Sequence, residues 1–383
     1  MPTKAIATVP DKICFAVVWA SLALFSSWVV PHVNGQEPTA ETLIARRCWQ
    51  YQTSGLDTWQ AANDGSNVYV AERGGRISAI SADDGKRIWS TELGADIRSN
   101  LVVSGRSLHV VTGTIKGSLE LRSLSIVSGI AGNSIPMEGN GSVQLSATRD
   151  RIITVTSNGD ISAMDTSGEK MLWSNSLGDS PAVATVGKDE LAVGFNAGRI
   201  AIINASTGVS TYAFTIKFRP TAILVYHDTL LVGDDRGNLT KLERLKSRAE
   251  WNFKSGGSIS GIYPVDESGL LVTSFDNFVY RIEASNGHVV WKLRQLARVA
   301  DTVLLGLNTA AITPIGEPVT VIVDINHGKQ IGQIDMPEKS RAVQPAIYLG
   351  NSFIAFTSEG LISNGIGGCR AYEKAEAKAS AFN

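Results

Sequence analysis

The chain has 383 residues, a formal net charge of −1 and 43% apolar side chains. That balance leaves no basic field to hold nucleic acid and no like-charge run to mark a membrane-surface patch. A length of 383 residues would suggest about two or three domains, but an internal repeat, rich in the turns that 37 glycines allow, overrides that count.

The first predicted element is a targeting segment. Lys4 and Lys12 precede an apolar stretch from Ile13 to Val30, Pro31 breaks it, and Val33-Asn34-Gly35 stands before a cut at Gln36. The pattern predicts a signal peptide over residues 1–35, with a retained membrane anchor as the alternative, because the stretch is long for a signal and just long enough to span a bilayer. Either way the remainder lies outside the cytoplasm, in the periplasm or cell envelope. Lys4, Lys12 and Asp11 leave with that segment, so the rest carries −2. Cys14 opens the apolar stretch and does not stand beside the cut, so it does not read as a lipid-attachment cysteine.

From there an aromatic returns about every 40 residues, at Trp49, Trp89, Trp173, Tyr212, Trp251 and Trp291. The clearest unit is GRISAISADDGKRIW, Gly75 to Trp89, followed by GDISAMDTSGEKMLW to Trp173, GRIAIINASTGVSTY to Tyr212, GNLTKLERLKSRAEW to Trp251 and DNFVYRIEASNGHVVW to Trp291. Each opens on Gly or Asn and alternates as a half-buried strand does. Most then turn on a glycine, as at Asp83-Asp84-Gly85, and end on the aromatic in a second strand. Apolar runs upstream, such as Val68-Tyr69-Val70, Ile152–Val155, Leu230–Val232 and Leu270–Val272, read as buried strands. No convincing helix interrupts them. Two degenerate units fill the gaps, one from Leu119 through Gly129 with its marker position at Asn133, the other from Val319 through Gly328 with its marker at Gly332.

Four short strands per unit make a propeller blade, so the fold class is an all-β, eight-bladed β-propeller of four-stranded antiparallel blades, with seven blades as the alternative count. Residues 342–369 supply early strands without a marker, and the orphan Trp49 supplies the marker without early strands. The N-terminal strand therefore closes the last blade, which removes exposed sheet edges. The propeller domain covers residues 36–371, and residues 372–383 form a flexible tail. Cys48 precedes Trp49, and Cys369 sits at the turn position of the same blade, so a disulfide between Cys48 and Cys369 locking the chain ends is expected in an oxidising compartment. Periodic Trp residues are read as wedges between blades rather than as a ligand platform. Trp59 breaks the period and is a surface-contact candidate, at equal weight with a core position.

The unit G-x-I/L-x-A-I/L-(D/N)-A-x-x-G-K-x-x-W, best matched by residues 75–89 and closely by 159–173, 198–212 and 277–291, resembles the repeat of pyrroloquinoline-quinone (PQQ)-type propellers. Within that superfamily the chain is most similar to the short, exported, non-catalytic members, the BamB-like family. The resemblance implies an eight-bladed propeller and a periplasmic adaptor that binds proteins through loops and blade edges. One departure is that BamB-like proteins usually carry a lipidated cysteine directly after the signal, where this chain has Gln36.

Quinoprotein dehydrogenases of the superfamily hold their quinone over adjacent cysteines beside a calcium site, and this sequence has no Cys-Cys pair. The acidic candidates Asp83-Asp84, Asp234-Asp235 and Asp276-Asn277 sit in hairpin turns, where backbone chemistry already explains them. His109, His227, His288 and His327 are spread over different blades without zinc-ligand spacing. No nucleophile elbow or phosphate loop is present. The expectation is a non-enzymatic, monomeric protein-interaction scaffold without a cofactor, metal or nucleic-acid partner, membrane-proximal and acting in envelope assembly. The alternatives are a quinone- or sugar-linked oxidoreductase and a sensor binding a glycan or small ligand in the central funnel.

Overall fold

The computed structural model describes residues 43–53, 56–72, 74–114, 117–243 and 248–369, with the backbone alone at 56–60, 300–301 and 344. They lie in one compact unit spanning residues 41–383. The expected signal segment and the tail after residue 371 fall outside the described residues.

Glycine turns between apolar runs divide the chain into antiparallel quartets. In the third blade, Val143–Ala147, Arg151–Thr156, Asp160–Asp165 and Met171–Ser176 pair in sequence order. Residues 56–92, 181–215, 220–254, 259–294 and 299–335 repeat the arrangement as the first, fourth, fifth, sixth and seventh blades. The second blade, residues 96–137, departs from it: its inner strand is broken into Asp96–Ile97 and Val102–Ser104, both paired with Ser107–Gly113. The eighth blade takes three strands from residues 342–366 and its outermost from Leu43–Gln52, antiparallel to Gly360–Ile366. Each innermost strand touches the next, and Ala342–Leu349 of the eighth blade touches Leu56–Asn63 of the first. The blades therefore form a closed ring.

The core sits between blades. The second and third strands of a blade are buried on both faces, while the fourth is largely exposed, as the patterns of Arg151–Thr156, Asp160–Asp165 and Met171–Ser176 show. Ile153, Val155, Ile161 and Ala163 of the third blade pack with Leu191, Val193 and Phe195 of the fourth. Burial on two faces is why these middle strands read as nearly continuous apolar runs.

A further rule emerges in the outermost strands. One extra residue breaks the ladder immediately before the marker: Ile88, Leu172, Thr211, Glu250, Val290, Ile331 and, in the closing strand, Cys48. Such a bulge re-aims the side chain that follows it, here toward the next blade. The closing strand also does more than complete one sheet. Leu43 and Ile44 pair in parallel with Gly332 and Gln333 of the seventh blade before the strand crosses to the eighth.

Candidate functional site

The marker aromatics are joints. Each indole N–H donates to a carbonyl in the third-to-fourth-strand turn of the following blade: Trp89 to Ile126 at 2.9 Å, Trp173 to Ala205 at 3.0 Å, Trp251 to Ala284 at 3.1 Å, Trp291 to Ile325 at 2.8 Å and Trp49 to Ala82 at 3.0 Å. Each ring lies on that turn's glycine, so a Cβ at Gly85, Gly129, Gly208, Gly287 or Gly328 would come within 2.4 to 2.7 Å of an indole. Those glycines also hold positive φ angles, which leaves no other residue type at ease there. Trp49 of the eighth blade rests on Gly85 of the first, so the joint that closes the ring has the same chemistry as the others. Tyr212 occupies the fourth blade's marker position, and burial pushes its hydroxyl up to about 12. The turn it would face includes residues 244–247, outside the described set, as is the side chain of Trp59.

Two joints lack an aromatic marker, and each is filled differently. In the seventh blade a Cβ at Gly332 would lie 2.6 Å from the carbonyl oxygen of Leu43, so glycine is what lets the closing strand approach. In the second blade the marker is Asn133, and the space over Gly168 of the third blade is taken by His109. Nδ1 of His109 lies 2.9 Å from Ser123 Oγ, and a Cβ on Gly168 would meet both groups. His109 is fully buried; the sequence pattern had given it no place in a joint because it lies on the second strand rather than the fourth.

Burial pulls the His109 pKa down to about 4, against the opposing pull of the Thr166 backbone and the Asp165 carboxylate. The unfolded chain takes up this proton near pH 6.5, before the folded one does, so stability should fall as pH drops from about 6.5 to 4, by up to about 3 kcal/mol. Urea midpoints across that range, compared with a His109→Gln chain, measure the effect. An identical pH slope in the variant would contradict it.

At the ring's closure, the Sγ atoms of Cys48 and Cys369 are bonded at 2.02 Å across 321 residues of sequence. The turn carboxylates accept from backbone of their own turn or of the loop beside it. Asp84 Oδ1 accepts from the Lys86 N–H, and Asp234 Oδ1 from the N–H groups of Arg236 and Asn238. Asp276 accepts from the Gly256 N–H at 2.8 Å and the Tyr280 hydroxyl at 2.6 Å. His288 and His327 are exposed, and His327 pairs with Asp324 in its turn. Among the described residues no three His, Cys, Asp or Glu side chains converge as a metal site.

One face of the ring carries a different chemistry. The antiparallel order brings the second-to-third-strand hairpins and the blade-to-blade links to the same end. There Phe218 is faced by Lys217 Nζ at 5.2 Å and by the Arg236 guanidinium at 5.9 Å, and Phe275 by Arg298 at 5.4 Å. Arg219 donates to Asn196 Oδ1 at 2.8 Å. Lys217, Arg219, Arg236 and Arg298 are exposed, and among the described residues no carboxylate pairs with them. Leu296, 75% exposed, lies on the same face. Exposed arginines beside aromatic rings, with a free apolar neighbour, are the groups that anchor protein interfaces. Sequence reasoning missed this surface. Its signal was an arginine recurring just before an inner strand, at Arg219, Arg298 and Arg341, where each backbone carbonyl accepts from the residue after the second strand.

Ring closure, four-stranded blades and the glycine–aromatic joint together define a β-propeller of PQQ-like repeats. The sequence family described as outer membrane protein assembly factor BamB matches residues 38–220 and 214–346, and the chain belongs to that family. Outer membrane protein assembly factor BamB of Yersinia pestis is 23% identical over 293 residues, which cover 72% of this chain and 66% of that relative, so the match spans about two thirds of its length. The crystal structure of BamB from Moraxella catarrhalis superposes with a TM-score of 0.65 at 15% identity, covering 84% of this chain and 100% of that one. The computationally designed Ika8 protein superposes at 0.72 with 12% identity, covering 84% of this chain and 99% of its own. At those identities the two structures speak for the fold alone.

Proposed function

We propose that this propeller is an exported, non-enzymatic, monomeric scaffold that binds protein partners in the cell envelope and serves the assembly of outer-membrane proteins. Family membership supports the setting. The observation that carries the binding role is the cationic and aromatic surface around Phe218, Arg219, Arg236 and Phe275, presented by loops on a rigid closed ring. Rigid loops bind without a large ordering cost, and unpaired surface cations speed encounter with an acidic partner.

The test is crosslinking in intact envelopes followed by identification of what is held. Outer-membrane assembly proteins are expected on the parent chain. The double variant Arg219→Glu, Arg236→Glu should recover roughly tenfold less, with an unchanged melting temperature, since charge reversal opposes an acidic partner. Equal recovery by the two chains would remove this surface from the account.

A further inference from the structure

The seam between the second and third blades holds a cavity of about 230 Å³, lined in part by Met137 and Glu138 of the second blade and by Thr156, Asp160 and Ser162 of the third. The repeat itself shows what belongs there. At the seam between the first and second blades, Arg122 donates through Nη1 to the carbonyl of Leu93, four residues after the Trp89 marker, at 3.2 Å. At the seam between the third and fourth blades, Arg199 donates through Nη2 to the carbonyl of Leu177, four residues after the Trp173 marker, at 3.1 Å. Its guanidinium lies 3.7 Å over Phe195, with Asp179 4.0 Å away.

In the seam between these two, the residue four after the marker position Asn133 is Met137. The position of Arg199 is taken by Asp160, that of Arg122 by Ser162, and that of Phe195 by Thr156, as the strand registers align them. Against the third-to-fourth seam a phenylalanine has become a threonine and a cation an anion; against the first-to-second seam, where Glu120 holds the place of Asp160 and pairs with Arg122, the arginine has become a serine, and together these changes leave the cavity open. Asp160 reaches toward the second blade, so that a Cβ on Gly139 would lie 2.8 Å from its Oδ2. Among the described residues no ion pair or side-chain hydrogen bond engages the carboxylate of Asp160 or Glu138. The hydroxyls of Thr154 and Ser162, 2.6 Å apart, form a polar wall, and Met171 adds an apolar one.

We propose that this cavity takes the guanidinium of an arginine side chain presented by a partner protein, so that the incoming residue completes the seam as Arg122 and Arg199 complete its neighbours. A planar fork of N–H donors suits two carboxylates, while the methylene stem suits the methionines. The source of the arginine rests on the scaffold reading above; the site itself does not.

The probe is Nα-acetyl-arginine amide, titrated into the full chain by calorimetry or NMR, with the uncharged citrulline analogue as control. Saturable binding is expected for arginine and none for citrulline. Asp160→Asn and Glu138→Gln should each weaken arginine binding at least tenfold with an unchanged melting temperature. The chain carrying Thr156→Phe and Asp160→Arg restores the neighbouring seam's residues, so it should lose binding while melting at or above the parent temperature. Arginine and citrulline binding alike, or Asp160→Asn binding as the parent does, would overturn the proposal. Failure of the scaffold reading shows separately, as equal crosslinking by the parent and the Arg219→Glu, Arg236→Glu chain, and leaves the titration result standing.

Discussion

Trp251→Ala is expected to lower the stability of the propeller by about 4 kcal/mol, the range found when a large aromatic is removed from a packed site that cannot collapse. The side chain is 8% exposed and packs with Leu270, Val272, Tyr280 and Ile282 of the next blade. Its N–H donates to Ala284, so truncation also leaves that carbonyl without its partner. The joint has two sides. Gly287 sits at a φ of 77°, and a Cβ there would lie 2.5 Å from the indole. Gly287→Ala should therefore destabilise through both the clash and the backbone conformation. The double variant should cost less than the two single changes added, because removing the indole relieves the clash. Denaturant unfolding of the four chains measures the coupling. Additive losses would mean that the ring and the glycine do not form one joint.

The second large effect concerns closure. Cys48→Ser with Cys369→Ser is expected to lower stability by about 2 to 5 kcal/mol, since a cross-link spanning most of the chain restricts the unfolded state strongly. The geometry gives that link a clear position. Cys48 is the bulge residue of the closing strand, and the next residue, Trp49, rests on the first blade. Parent protein treated with reductant should unfold at the urea concentration of the double variant. A parent midpoint indifferent to reductant would contradict the stabilising role of this bond.

Much of this architecture can be read from the chain because its rules are local and repeated. A turn glycine and an aromatic recur at most of the seams where one blade docks on the next, and the frame holds even where the marker is lost. Gly332 stands opposite Ile322 as Trp291 stands opposite Arg281. The apolar runs of the middle strands are legible for the same reason, since burial on two faces leaves no polar alternation. What escapes is what depends on a single distant contact. His109 fills a joint from a strand that carries no marker. Leu43 and Ile44 add themselves to the seventh blade through backbone pairing, which side-chain pattern does not encode. The cavity beside Asp160 becomes visible only when one blade is compared with the two beside it in register. The cationic surface near Phe218 arises from loops, whose residues answer to partners rather than to the repeat.

Closure of the ring by the N-terminal strand underlies all of this, and amide hydrogen exchange of residues 43–52 tests it most directly. The amides of that strand that pair with Gly360–Ile366 should exchange as slowly as those of the buried middle strands and open together with their partners in one cooperative step. Exchange of residues 45–52 at the rate of an unstructured peptide, with 360–366 still protected, would show that the last blade stands without its fourth strand and that the ring is not closed in this way.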